Sequence, residues 1–528
     1  MKLDTLRSGP AIVLGLSVFA LADLVGAQDA GAPWPNGDQQ VRGMCYQPLP
    51  EGSWTSTGAA GAEYAQSDVN VDQWSALWGK GGDGVTITGT ARDDVGKMSD
   101  ANVNVIRMYD YFPGSTAGNL ACSGAGPVPP LGGRGHINFL DYCDQNGIQV
   151  IIPISNYIMT SFPKDNYGNT WQDLVDAVID SVKVNGALHP AVHSFSIGNE
   201  LDYTANCSCD SGILGHPQCP AGATGALPCC FGTPNTSADS KCIQRAVDVA
   251  NRIHLAVPDV YVTIPLSQAP GWQEAMNIIL NGGTGTFQDG QVTATVANPI
   301  TDKSRFYNSI QAFQTAGNYQ PIIEQYQTAF PNEDDPKLLF TEWGWAQDCS
   351  GCGIQTPDDC TGKATSDTDQ AEKVYGAAQS VQNYLAANPD TKCKGYCILQ
   401  WKNQVKHSGC DHTFGLHKPT GGDIGTATFN TYNCGGGCWV CDTTYQIDEL
   451  REIKLQNNVP IFTALKELWS QTLSGDLNND GVVDSDDLIM LRDSLGYRQH
   501  DSDFDKDIDG KDLGSLLGSW GSYGGTQP

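Results

Sequence analysis

From about Val41 to Trp469, short apolar runs alternate with stretches whose apolar residues recur at helical spacing. That pattern predicts strands and helices taking turns around a parallel sheet. The runs predict strands over Val41–Cys45, Val103–Met108, Gln149–Pro153, Val192–Ile197, Val260–Leu266, Arg305–Phe313, Leu338–Thr341 and Gly395–Gln400. Between them, Trp171, Leu174, Val175, Val178, Ile179 and Val182 fall on one helical face behind Asn169 and Thr170, residue types that cap a helix start. Further helices are predicted from His136 to Asn146, stopping at Gly147, and from Asp369 to Ala387.

Eight strands with covering helices predict a (β/α)8 TIM barrel, in which chemistry is placed where strands end and loops begin. Arg107, Asn199, Glu200, Glu342 and Trp401 all fall at or just after such ends. Two of them are glutamates following apolar runs. Breaking a glycosidic bond needs one carboxyl to protonate the leaving oxygen and a second to attack the anomeric carbon or activate water. Glu200 is the expected acid/base and Glu342 the expected nucleophile, with Asn199 placed for the sugar 2-hydroxyl. Tyr109, Asn156, Gln311 and Trp343 are candidate subsite residues, since aromatic faces suit sugar rings and amides suit hydroxyls.

Composition narrows the partners. A formal charge of −29 over 528 residues opposes binding to nucleic acid or anionic membrane, while a neutral polysaccharide meets no such field. Residues 1–27 carry Lys2, Arg7, an apolar stretch and small residues ending at Ala27, the pattern of a secretory signal peptide. Secretion leaves no membrane segment after processing and makes disulfides the default for all 18 cysteines. Six of these crowd an insert at about 206–242, directly after Glu200. The segment carrying His407, Cys410, His412 and His417 reads as a disulfide-bearing loop near the eighth strand, and catalysis is expected to need no metal or cofactor.

Asn199-Glu200 ending strand four and Glu342 ending strand seven resemble the retaining glycoside hydrolases of clan A over roughly residues 40 to 470. The resemblance implies that Arg107 holds the nucleophile ionised and that Trp401 forms an aromatic floor for the sugar. Val41-Arg-Gly-Met-Cys45-Tyr-Gln-Pro, Asn104-Val-Ile-Arg107-Met-Tyr109 and Leu140-Asp-Tyr-Cys143-Asp-Gln-Asn-Gly-Ile are most similar to families 17 and 72. These are β-1,3-glucan hydrolases and glucanosyltransferases. A β-1,4-glucanase or mannanase of the same clan, or a noncatalytic carbohydrate-binding barrel, remain alternatives.

After a linker at 471–475 the chain changes character. Asp476, Asn478, Asp480, Asp484 and Asp487 fall at the oxygen-ligand spacing of a calcium loop, with Gly481 at the sharp turn. The pattern repeats 25 residues on with Asp501, Asp503, Asp505, Asp509 and Asp512, where Lys506 replaces the glycine. Residues 476–522 therefore predict a small all-α calcium-binding module. The duplicated loops resemble a type I dockerin, which implies a cohesin-type scaffold protein as partner. Between Asp476 and Asp512 stand 12 Asp and 4 Lys or Arg, a cluster that repels itself without a cation. Chelating calcium is expected to unfold residues 476–520 and leave the barrel active; unchanged circular dichroism and proteolysis of the isolated tail would rule the calcium loops out.

Overall fold

Alternation along each strand sorts the side chains into two layers. Val41, Cys45, Val105, Ile151, Tyr261, Tyr307, Leu339, Cys397 and Leu399 form one buried cluster. Their neighbours Met44, Ile106, Val150, Ile152, Phe195, Ile197, Val262, Leu338, Phe340, Tyr396 and Ile398 belong to a second and larger one. Period-two alternation with both faces buried is what a parallel barrel wrapped by helices requires.

The computed structural model has that architecture. It describes residues 34, 40–47, 74–82, 84–109, 111, 136–156, 158, 170–202, 241–268, 270–287, 292–313, 319–347, 363–403, 413–429 and 443–470. The barrel strands are β1 (Val41–Cys45), β2 (Val105–Arg107), β3 (Gln149–Ile154), β4 (Val192–Ile197), β5 in two pieces (Tyr261–Thr263 and Pro265–Ser267), β6 (Tyr307–Phe313), β7 (Lys337–Gly344) and β8 (Cys393–Ile398). Each pairs in parallel with its neighbours, and β1 pairs with both β2 and β8. The ring closes at β5, whose first piece pairs with β4 and whose second pairs with β6. Trp34 packs edge-on against Tyr261 and Tyr307, near the starts of β5 and β6, and plugs that end of the barrel.

A helix follows each strand in sequence: α1 (Asp94–Asp100), α2 (Ile137–Gln145), α3 (Trp171–Ser181), α4 (Lys241–Ala256), α5 (Trp272–Asn281), α6 (Gln320–Ala329), α7 (Asp367–Ala387) and α8 (Ile461–Trp469). Thr170 caps α3 in a capping box with Asp173. Ser366 caps α7 by accepting from the Asp369 amide. Among the described residues, no helix is long and apolar enough to cross a membrane.

Two features depart from the sequence expectation. Val85–Gly89, His417–Phe429 and Thr443–Glu452 form a separate antiparallel sheet, so His417 opens a strand instead of lying in a loop. Its segment contains Pro419 and several glycines, residues that weaken a strand pattern. Second, Cys45, Cys143, Cys393 and Cys397 are buried free thiols, which corrects the expectation that every cysteine pairs. They lie in packed strands and a helix, where a cysteine behaves as a small apolar residue. The signal segment 1–27, the linker and the calcium module lie outside the described residues. So does the cysteine-rich insert, apart from the backbone of Lys241 and Cys242 at the start of α4.

The extra sheet is fixed to the barrel by buried charges. Arg92 donates to Asp94 at 2.6 Å and to Asp448, and Lys402 donates to Asp448 at 2.5 Å. The Tyr46 hydroxyl donates to Asp94 at 3.0 Å. Asp448 belongs to the extra sheet, Tyr46 follows β1 and Lys402 follows β8. Burial opposes ionisation of Asp448, yet Arg92 and Lys402 together hold its carboxyl below the usual range. Burial and the nearby Arg92 push Lys402 down to about 8, against the pull of Asp448. Because its folded value is depressed, Asp448 stabilises the fold above its unfolded value, and that contribution is lost as pH falls through the folded one. Asp448→Asn is expected to cost about 3–5 kcal/mol at neutral pH, since it leaves two buried cations short of a partner. Urea denaturation measures this, and a loss under 1 kcal/mol would show the cluster contributes no more than a surface pair.

Candidate functional site

Val105 faces the barrel interior, so its second neighbour Arg107 faces the same way at the end of β2. Its guanidinium is almost fully buried. Nη1 donates to Glu342 Oε1, and Nη2 donates to Asn199 Oδ1 at 2.6 Å. One planar fork thus joins groups from β7 and from the segment after β4. The Tyr109 ring lies 4.7 Å from the guanidinium carbon, within cation–π range.

Glu342 reaches this position through a β-bulge. Ile310 of β6 pairs with Phe340, but the next residue, Gln311, pairs with Glu342. Thr341 is therefore an extra residue on β7. Simple alternation from the inward Leu339 would have turned Glu342 out toward the helices. The bulge restores it to the interior beside Gln311. The Thr341 carbonyl accepts from Cys45 Sγ at 3.4 Å and lies 3.5 Å from Arg107 Nη1. Burial, opposed by Arg107, raises the Cys45 thiol, and burial also raises Cys397. Both are packing thiols and not nucleophiles.

The segment carrying Glu200 is shaped by two positive φ angles, +66° at Gly198 and +48° at Glu200. Glycine adopts the first freely, whereas a glutamate at the second must be held there by its surroundings. Asn156, just beyond β3, grips the backbone of Asn199 on both sides. Its Oδ1 accepts from the Asn199 amide at 2.7 Å, and its Nδ2 donates to the Asn199 carbonyl at 3.2 Å. Gln311 Nε2 also donates to Asn199 Oδ1. Arginine can only donate, so the atom facing it must be oxygen and the orientation of the Asn199 amide is settled. Its Nδ2 takes part in neither bond.

The structure thus gathers Arg107, Tyr109, Asn156, Asn199, Gln311 and Glu342 at one end of the barrel, with Glu200 directly after Asn199. Trp343 and Trp401 do not join them. Trp343 follows the bulge on the outward face and packs against Tyr319, Trp345 and Tyr396. The Trp401 ring packs against His417 and Phe462 at 4.2 and 4.8 Å between centroids. Each tryptophan is 1% exposed. Both pack in the outer layer of the described structure, apart from the group around Arg107. The metal ligands expected in the tail lie outside the described residues, among which no cluster of His, Cys, Asp or Glu could hold a metal ion.

Sequence reasoning missed Cys45, Thr341, Asp202 and Ser267. Inward parity with Val41 on β1 was available for Cys45, but a bulge such as that at Thr341 leaves no local signal. Asp202 is buried, and its carboxylate accepts from the Ser267 amide at 2.8 Å and the Ser267 hydroxyl at 2.7 Å. Burial outweighs those bonds and raises Asp202 to about 6.

A Cβ added at Gly198 would lie 2.5 Å from Leu201 Cδ1. Gly198→Ala is expected to cost about 1–2 kcal/mol and to displace Asn199 from Arg107. Denaturant unfolding measures the first and a crystal structure of the variant the second, and an unmoved Asn199 in a destabilised variant would show that the turn does not set the site.

No protein-family model matches the chain, and no curated protein matches it. Among solved structures it matches a mutant of Saccharomyces cerevisiae Gas2p in complex with laminaritetraose and laminaripentaose, at 12% identity and TM-score 0.36, covering 84% of this chain and 65% of that one. It matches a beta-glucosidase from Thermotoga maritima at 12% identity and TM-score 0.42, covering 74% and 93%. A Bacteroides uniformis beta-glucuronidase matches at 13% identity and TM-score 0.35, covering 72% of this chain and 34% of that one. The chain therefore spans less than two thirds of the yeast protein and about a third of the glucuronidase.

Proposed function

We propose that this chain is an exported retaining β-glycosidase that hydrolyses or transglycosylates a polysaccharide, with β-1,3-glucan as the substrate. The observation that carries this reading is the inward, Arg107-bound Glu342 at the strand ends of a closed barrel, with Asn199 on the same guanidinium and Glu200 next in sequence. Arg107 stabilises the Glu342 carboxylate, which attacks the anomeric carbon as Glu200 protonates the departing oxygen. The glycosidic bond breaks and a glycosyl ester forms on Glu342. Glu200, now ionised, takes the proton from water or from an acceptor sugar hydroxyl, whose oxygen displaces the ester and frees Glu342. With Asn199 Oδ1 occupied by Arg107 and Gln311, its side-chain amino group is the end that meets the sugar 2-hydroxyl.

The β-1,3 linkage rests on the similarity of the β1, β2 and α2 segments to families 17 and 72. In this proposal the tail at 476–522 is a calcium-loaded, dockerin-like module that fixes the enzyme to a cohesin-type scaffold, and the acidic ligand spacing supports it. Calcium has no part in the bond cleavage.

Purified protein incubated with β-1,3- and β-1,4-linked gluco-oligosaccharides is expected to give shorter or longer products from the β-1,3 series, read by mass spectrometry. Glu342→Gln should lower turnover by about 10³-fold or more. Cleavage of the β-1,4 series alone would reassign the linkage. Near-normal turnover in the Gln variant, or binding with no cleavage by the native chain, would overturn the catalytic assignment.

A further inference from the structure

The segment after β4 is held from both sides. Upstream, Asn156 grips Asn199. Downstream, the Glu200 amide donates to the Pro265 carbonyl at 3.2 Å. Leu201 is buried beneath Gly198. Asp202 then binds both donors of Ser267, the last residue of β5. Burial penalises the ionised form of this carboxylate, so placing one here to bind the Ser267 amide and hydroxyl has a cost. What it provides is a two-point attachment to a barrel strand, two residues from a glutamate in the left-handed region.

We propose that Asp202 is a positioning residue for Glu200: its two bonds to Ser267 fasten the segment to β5 so that the Glu200 carboxyl stays aimed at the leaving oxygen. This rests on the reading of Glu200 as the acid/base. The two anchors divide the work. Asn156 sets the amide that meets the sugar, and Asp202 sets the direction of the proton donor. Holding a proton donor within hydrogen-bond reach of its target is what general acid catalysis demands, and its loss is felt in turnover more than in binding.

The test exploits the leaving group. A sugar alcohol must be protonated as it departs, whereas a dinitrophenolate departs without a proton. Azide in turn attacks the anomeric carbon of the glycosyl ester without a general base, giving a glycosyl azide and the free Glu342 carboxylate. Asp202→Ala, Asp202→Asn, Ser267→Ala and Glu200→Ala would be compared with the native enzyme on a β-gluco-oligosaccharide and on a dinitrophenyl β-glycoside, with and without azide. Near-ultraviolet circular dichroism and melting would be recorded for each.

Asp202→Ala is expected to lose about 10²-fold in kcat on the oligosaccharide with little change in KM. It should lose much less on the aryl glycoside, where azide restores what is lost. Asp202→Asn should recover most of the activity, because its oxygen can accept from the Ser267 amide while its amino group donates to the hydroxyl. If Asp202→Ala does not fold, Ser267→Ala, which removes one bond and keeps the other, is expected to show the same leaving-group selectivity in milder form. Equal losses on both substrates in the folded variants, or no loss, would mean that Asp202 only supports the fold, and the proposal fails while the Glu200 assignment stands. If Glu200→Ala itself shows neither the selectivity nor the azide effect, the acid/base assignment fails and the positioning role falls with it.

Discussion

A guanidinium buried at the barrel rim is the constraint around which the site is arranged. Arg107 ends β2, meets Glu342 of β7 and holds Asn199 beyond β4, so three strands that are not neighbours share one cation. Such a group is stable out of water only if its charge is matched and most of its donors are satisfied. The Glu342 carboxylate supplies the charge, and Asn199 and the Thr341 carbonyl supply acceptors. The Tyr109 ring covers its face. A lysine could supply the charge but not the planar fork that reaches two acceptors at once.

The irregular backbone falls where this group needs it. The bulge at Thr341 and the positive φ angles at Gly198 and Glu200 all lie at the rim. At the opposite end, the ladder is filled by Trp34 against Tyr261 and Tyr307. A second set of buried charges, Arg92, Asp94, Lys402 and Asp448, binds the extra sheet against the chain just after β1 and β8. Ion pairs of this kind add little net stability but penalise any other arrangement. Both sets act at the end of the barrel where Glu200 and Glu342 stand.

Much of the scaffold was legible in the chain. All eight barrel strands fall within two residues of the apolar runs at their starts, because buried parallel strands leave uninterrupted apolar segments. Their ends were less legible: the run Val103–Met108 contains a ladder of only Val105–Arg107. β7 instead extends past its run to Gly344, since hydrogen bonding and not hydrophobicity sets where pairing stops. The extra sheet was illegible because its longest strand carries glycines and Pro419, which read as loop. Within the site, Arg107, Asn199 and Glu342 were found from their place at strand ends. For Asn156, expected to meet substrate, the chain gave no sign that its amide would bind the Asn199 backbone. Asp202 carried no pattern at all.

The sequence by itself determined the alternation of strands and helices and the set of chemical groups delivered to the strand ends, because both follow from local periodicity. Tertiary structure alone decided which way those groups point. Glu342 faces inward because Thr341 has no partner on β6, and Trp343 faces the helices for the same reason. Trp401 is packing because His417 and Phe462, from distant segments, occupy its faces. Cys45 and Cys397 stay thiols inside a filled barrel, where burial favours the neutral form. Each of these outcomes depends on counting residues across neighbouring strands or on what fills the adjacent space, and neither quantity is written in any local stretch of the chain.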